Sequence, residues 1–209
     1  MTAGAFITFE GGEGAGKSLQ VRRLAEWLRA RGMDVLATRE PGGCPASEAV
    51  RGLLVDGTHT WSPAGEAFLH CAARAEHVRT AIAPALAAGT WVVSDRFADS
   101  TVAYQGYGHA LDTSFLRQAS GHATGGTGPH LTLVLDVPPD VGLTRTRARG
   151  EENPYETLPM AFHERVRAGF LEIAAAEPDR CRVIDARADA ETVHRHVVAA
   201  VNDRFGLSH

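Results

Sequence analysis

Residues Gly11-Gly-Glu-Gly-Ala-Gly-Lys-Ser18 fit the pattern G-x-x-x-x-G-K-[ST]. In such a loop, glycine-freed backbone N–H groups wrap a phosphate chain, the lysine reaches the outer phosphates and the hydroxyl meets Mg²⁺. The pattern carries this meaning only between a strand and a helix, and both are predicted here. Upstream, Ala5-Phe-Ile-Thr-Phe9 is a β-branched and aromatic run that ends at the glycines. Downstream, Val21, Leu24, Ala25 and Leu28 recur at helical spacing, so the loop opens an amphipathic helix whose positive N-terminal end faces the anion. Lys17 is the only lysine among 21 basic residues. A composition that uses arginine everywhere else has lysine at the one position that requires it.

The rest of the chain alternates strands with helices. Asp34–Thr38 reads as a second strand running into the turn-forming cluster Arg39-Glu-Pro-Gly-Gly43. A strand thus delivers Arg39 to the edge where α/β folds collect ligands, and guanidinium suits phosphate. Residues 46–55 carry Arg51 on a predicted helix, and a loop spans Gly57 to Pro63. A long helical pattern from about Ala64 to Ala88 bears Arg74 and His77, with Pro84 expected to kink or divide it. Thr90–Asp95 is a short apolar strand ending in an acid beside Arg96, a position that suits Mg²⁺ binding or orientation of a nucleophile. Helix follows through Tyr104, then a turn at Gln105–Gly108, a helix at about 112–120 and a glycine-rich loop from His122 to Pro129.

Leu131–Asp136 is a continuous apolar strand that suggests burial on both faces. Pro138 and Pro139 end it and start a helix with Arg145, Arg147 and Arg149, which cannot all share one face. Together with the polar stretch Glu151–Glu156 these read as solvated charges or as a flap closing over phosphates. Phe162, Val166, Phe170, Ile173 and Ala174 form a stripe for core packing or a helix interface. Arg182–Asp185 is the fifth strand, and a helix with Val193, Val197, Val201 and Phe205 closes the chain. This order implies an α/β, three-layer P-loop arrangement: one domain over residues 1–209, with a five-stranded parallel sheet and helices on both faces.

Composition narrows the partners. A net charge of −4 recommends neither a nucleic-acid nor a membrane surface as the principal partner. Three distant cysteines, Cys44, Cys71 and Cys181, argue against a disulfide framework or structural zinc site and point to reduced thiols in the cytoplasm. The chain enters its first strand without a cleavable apolar leader, and no run approaches bilayer-spanning length. His194 and His196 are two apart on a predicted helix, where they face different directions, so they do not suggest a metal pair.

Six blocks decide between the uses of the loop: Phe9–Ser18, Thr38-Arg-Glu-Pro-Gly-Gly43, Ala72-Ala-Arg-Ala-Glu-His77, Asp95-Arg96, Ala103-Tyr-Gln-Gly106 and Leu135-Asp-Val-Pro-Pro-Asp-Val-Gly-Leu143. In this order and spacing, from residue 5 to about 205, they make the chain resemble the thymidylate kinases in their bacterial form. An N-K-x-D-like base-reading segment, which a GTPase would need, is impossible with one lysine. The resemblance implies transfer of the ATP γ-phosphoryl group to thymidine monophosphate, with Mg²⁺. Position and charge neutralisation are the main demands of such chemistry. It also implies residue roles. Gly11, Gly12, Glu13, Gly14, Ala15, Gly16 and Lys17 hold ATP phosphates, with Ser18 and Asp95 on the magnesium. Arg39 and Arg96 meet the acceptor phosphate, and Glu13 meets its sugar hydroxyl. Arg74 and Thr101 read the pyrimidine, while Tyr104 lies beside the sugar and crowds out a 2′-hydroxyl. Arg149 is the lid arginine, in a lid around 145–157 that includes Arg145, and it supplies charge that other members carry in the loop itself. Members are commonly homodimers.

Two departures stand out. His70, four residues before Arg74, occupies the place of a phenylalanine that stacks on thymine. Asn153-Pro-Tyr-Glu156 replaces Asp-Arg-x-Glu in the lid. The first leaves open a kinase for another or modified pyrimidine monophosphate, and a non-enzymatic nucleotide switch is a more distant alternative. An imidazole with an ordinary pKa at position 70 would make acceptor binding depend on pH between about 5.5 and 7.5.

Overall fold

The computed structural model describes residues 4–55, 59–148 and 154–207. Arg149 and Asn153 therefore lie outside the described residues. Five parallel strands, β1 (Phe6–Glu10), β2 (Val35–Arg39), β3 (Trp91–Asp95), β4 (Leu131–Asp136) and β5 (Cys181–Asp185), form one sheet in the order β2-β3-β1-β4-β5. Strand β1 is buried along its whole length, as a central strand covered on both faces must be.

Helices α1 (Lys17–Arg29) and α9 (Ala190–Phe205) cover one face, where Leu24, Leu28, Val193, Val197 and Val201 pack with Phe9 and Leu133. The remaining helices are α2 (Pro45–Val55), α3 (Pro63–His77), α4 (Ala83–Ala87), α5 (Ala98–Thr101), α6 (Thr113–Thr124), α7 (Pro139–Arg147) and α8 (Met160–Ala176), with α8 packed on the other face. There Phe162, Val166, Phe170 and Ile173 join Val134, Tyr104 and Leu116 in a second cluster. The stripe on α8 is thus core packing, not a subunit interface. Burial of each such side chain contributes about 1.5–3 kcal/mol, so these positions hold the fold while the charged strand ends are left for chemistry.

The helix expected over 64–88 is divided, as Pro84 anticipates: Val78–Ile82 is π-helical before α4 begins. Pro84 has no N–H to return to the carbonyl one turn back, and the ladder widens at that point. The turn expected at 105–108 is also helix: Val102–Gly108 forms a π-helical stretch, with His109 N–H donating to Tyr104 O at 3.0 Å. Its glycines serve close packing. A Cβ on Gly108 would enter the Phe162 ring, and one on Gly106 would press on Thr113 and Leu116. In addition α6 runs on to Thr124, capped by Gly125 in the left-handed conformation at φ 57°.

Candidate active site

Strand register assembles the site. Phe9 pairs with Asp95 and Asp95 with Arg39, so the ends of β1, β3 and β2 deliver the phosphate loop, an acid and an arginine to one edge. The loop is held there by backbone-to-backbone contact. Gly14, at φ 67°, lies against Gly142 in the first turn of α7: a Cβ on Gly14 would collide with the backbone of Gly142, and one on Gly142 with the carbonyl of Glu13. A cavity of about 900 Å³ opens over this edge, lined by the loop, α1, Arg39, Asp95, Arg96 and residues of α3, α7 and α9.

At its centre, Lys17 Nζ donates to Gly11 O (3.1 Å) and Gly12 O (2.7 Å). Burial pulls its pKa down to about 8, and Arg96 adds to this against the attraction of Glu13 and Asp95. Ser18 Oγ donates to Asp95 Oδ2 at 2.5 Å. A hydroxyl and a carboxylate this close are the hard oxygen ligands that Mg²⁺ takes alongside phosphate oxygens and water, so the residues present fit that ion. Among the described residues no cluster of three or more His, Cys, Asp or Glu side chains forms a protein-only metal site.

Arg96 sits at φ 70° in the left-handed region, which is uncommon for a residue with a side chain. Its Nη1 donates to Gly11 O (3.2 Å) and Ser100 Oγ (3.1 Å), and its Nη2 to Glu13 Oε1 (2.8 Å) and Tyr104 Oη (3.0 Å). Tyr104 Oη in turn donates to Glu13 Oε1 at 2.6 Å. Burial alone would raise the Glu13 pKa, but Arg96, Lys17 and the Tyr104 hydroxyl outweigh it and hold the carboxyl below its usual range. Tyr104 moves well upward, first through burial, and stays a neutral phenol.

Deeper in, Arg74 is 2% exposed. Nε donates to Glu40 Oε2 (2.8 Å), Nη2 to Phe97 O (3.1 Å) and Thr101 Oγ1 (3.0 Å), and Nη1 to Ser120 Oγ (3.2 Å). Four of five donors are taken, so one Nη1 hydrogen remains for the cavity. Glu40 also meets His77 Nδ1 at 3.1 Å, and His77 Nε2 meets Thr38 Oγ1 at 2.8 Å. His70 lines the cavity one helical turn before Arg74 and makes no hydrogen bond among the described residues. Its protein surroundings and the cations Arg74, Arg96 and Arg51 push its pKa well down, so the imidazole is neutral. The expectation of an ordinary pKa there is overturned.

At the opposite end Arg145 turns from α7 onto the chain after β5, donating to Ala186 O (2.9 Å) and Arg187 O (3.0 Å). Arg39 is open, 54% exposed at its side chain, and paired with Glu48.

Sequence reasoning passed over several groups that line or brace the cavity. Arg51 spends one donor on Pro41 O (2.9 Å) and keeps the rest of its guanidinium toward the cavity. Tyr155, in the short 3₁₀ turn Pro154–Thr157, reaches Glu66 Oε2 at 3.0 Å, and Gln105 Nε2 donates to both. Glu10, Glu40 and His77 are wholly or nearly wholly buried beneath the site. Glu10 ends β1 and Glu40 follows the last residue of β2, and a buried carboxyl requires a partner. That was the available signal.

Comparison with known proteins gives one answer. The family model described as thymidylate kinase matches residues 9–197. The chain is 54% identical over 208 residues to the thymidylate kinase of Caulobacter vibrioides, covering 99% of this chain and all of that one. It is 48% identical to that of Magnetococcus marinus, over 98% and 99% of the two chains. Among solved structures, thymidylate kinase from Ehrlichia chaffeensis superposes with a TM-score of 0.77 at 34% identity, over 95% of this chain and 99% of that one.

Proposed function

The chain belongs to the thymidylate kinase family, and from that premise we propose that it transfers the γ-phosphoryl group of ATP to thymidine monophosphate, giving ADP and thymidine diphosphate. One observation carries the reading. A single cavity is lined both by the Lys17 and Ser18 loop and, beside it, by Arg96, Tyr104 and Arg74, with Glu13 of the loop bonded to Arg96 and Tyr104. Donor and acceptor then meet at the loop.

The parts follow from their chemistry. Lys17 and the backbone of Gly11 to Gly16 hold the donor phosphates, and Arg145 and Arg149 belong to the donor side, Arg149 from the family resemblance alone. Ser18 and Asp95 would hold Mg²⁺, which would supply charge neutralisation to the phosphates. Arg96 and Arg39, with Arg51, attract the acceptor phosphate and orient it in line. Glu13, kept ionised, accepts from the sugar 3′-hydroxyl. Tyr104 walls the sugar, the spare Arg74 hydrogen and Thr101 address the pyrimidine, and His70 lies against its face. With no catalytic proton acceptor required beyond the phosphate itself, position and charge do the work.

A homodimer is part of the reading. Phe68 on α3 and Phe115 on α6 are 59% and 41% exposed and touch edge to face at 5.9 Å, an apolar surface that a second copy would cover. No helix among the described residues is long and apolar enough to cross a membrane, which fits a cytoplasmic setting. The decisive experiment is ADP release measured over a panel of nucleoside monophosphates. Preference for thymidine monophosphate supports the assignment, and its absence sinks it. Sedimentation of the wild type and of Phe115→Asp tests the dimer.

A further inference from the structure

Glu10, the last residue of β1, has no exposed surface, yet it carries a carboxyl into the core. An apolar side chain at such a place would cost less, because a buried carboxyl must recover its lost hydration through hydrogen bonds. Both of its partners belong to the turn that carries Arg96. Phe97 N–H donates to Oε1 at 2.8 Å, and the Ser100 hydroxyl meets Oε2 at 2.5 Å. The same Ser100 oxygen accepts from Arg96 Nη1 at 3.1 Å. Arg96 itself is held at φ 70°, with its N–H on Phe9 O (2.9 Å) and its carbonyl taken by Ser94 Oγ (2.8 Å). Left-handed backbone at a residue with a side chain persists only where neighbours over-determine it.

We propose that Glu10 is a positioning residue for phosphoryl transfer. It fixes the backbone of the Arg96 turn through Phe97 N–H, and the direction of the guanidinium through Ser100. This rests on the reading that Arg96 meets the acceptor phosphate. Glu10 touches no substrate and acts only by keeping Arg96 where an incoming phosphate needs it. Glutamine should serve nearly as well, since its carbonyl accepts from Phe97 and its NH₂ donates to the Ser100 oxygen.

The test is steady-state kinetics with separate donor and acceptor titrations on Glu10→Ala, Glu10→Gln, Ser100→Ala, Arg96→Ala and the Glu10→Ala/Ser100→Ala double variant. Misplacing a reacting group by about 1 Å costs on the order of 10²-fold, so Glu10→Ala and Ser100→Ala should each lower acceptor kcat/KM by roughly 10- to 100-fold with donor KM unchanged. Glu10→Gln should stay within about threefold of wild type, and the double variant should be no worse than the worse single one, because both act through Arg96. Ser100→Ala leaves the core filled and keeps the test alive if Glu10→Ala does not fold. Variants that only melt earlier, or whose losses multiply, overturn the proposal. A fully active Arg96→Ala overturns it together with the reading beneath it. A crippled Arg96→Ala beside normal Glu10 and Ser100 variants overturns this inference alone.

Discussion

Tyr104 Oη donates to Glu13 Oε1 at 2.6 Å, and Arg96 Nη2 donates to the same oxygen at 2.8 Å. The phenol and the guanidinium therefore fix one carboxylate oxygen between them and leave the other to the cavity. Removing the hydroxyl in Tyr104→Phe keeps the ring proposed to wall the sugar but takes away one of the two donors. A hydrogen bond to a charged group contributes about 1.5–3 kcal/mol, so acceptor KM should rise by roughly tenfold or more, while rejection of the ribonucleotide persists. Equal acceptor KM for Tyr104→Phe and wild type would mean that Arg96 alone orients Glu13.

Lys17→Ala should fold, because the side chain spans only its own loop, bonded to Gly11 O and Gly12 O. Turnover should drop by on the order of 10² or more, the usual result of deleting a charge aimed at the transferring group. Lys17→Arg should also be poor, since a planar guanidinium is larger than the ammonium enclosed here. Circular dichroism with single-turnover kinetics checks both points. Undiminished phosphoryl transfer in the alanine variant would refute the role of the loop.

His70 lines the cavity as a neutral imidazole whose pKa lies well below its ordinary value because of its protein surroundings and the nearby arginines. Acceptor KM should consequently have no His70-dependent step between about pH 5.5 and 7.5, the range in which an unperturbed histidine titrates. His70→Phe should tighten thymidine monophosphate by about 0.5–1.5 kcal/mol, the scale of an aromatic gain, with a parallel pH profile. A step in the wild-type profile that vanishes in the phenylalanine variant would place the imidazole in a wetter setting than the cavity wall provides.

The parts of this molecule that sequence makes legible are those governed by local pattern. The strand before Gly11, the helix after Ser18 and the apolar run Leu131–Asp136 each follow from side-chain periodicity, and parallel pairing follows from their alternation. Register then brings Arg39 and Asp95 together, as strand-end chemistry anticipates. What stays hidden depends on tertiary packing. Gly106 and Gly108 carry the composition of a turn, yet they are small because Leu116 and Phe162 need the space. Arg51 looks like any helical arginine until α2 is laid beside Arg39. Glu40 and His77 become a brace for Arg74 only when residues 34 and 37 positions apart meet in the core. The low pKa of His70 likewise arises from burial and from cations on three separate elements.

Glu10 makes stability depend on pH in a direction opposite to that of a paired surface carboxylate. Burial, reinforced by Asp99, raises its pKa from 4.5 to about 8 despite the bonds from Ser100 and Phe97 and the pull of Arg96. Between those values the folded chain retains a proton that the unfolded chain has released, so stability falls as pH rises. The contribution is complete below about pH 4.5, declines through the neutral range and is gone above about pH 8. Lys17, lowered to about 8, contributes a rise between there and 10.5, but it does so in any variant that leaves it intact. Glu10→Gln has no proton to lose and keeps both hydrogen-bonding positions. Thermal melts of the two proteins across pH 5 to 8.5 should therefore separate, with the wild type losing Tm relative to the glutamine variant as pH increases. Parallel Tm curves would mean that Glu10 titrates normally, with its charge compensated by Arg96 in the folded state.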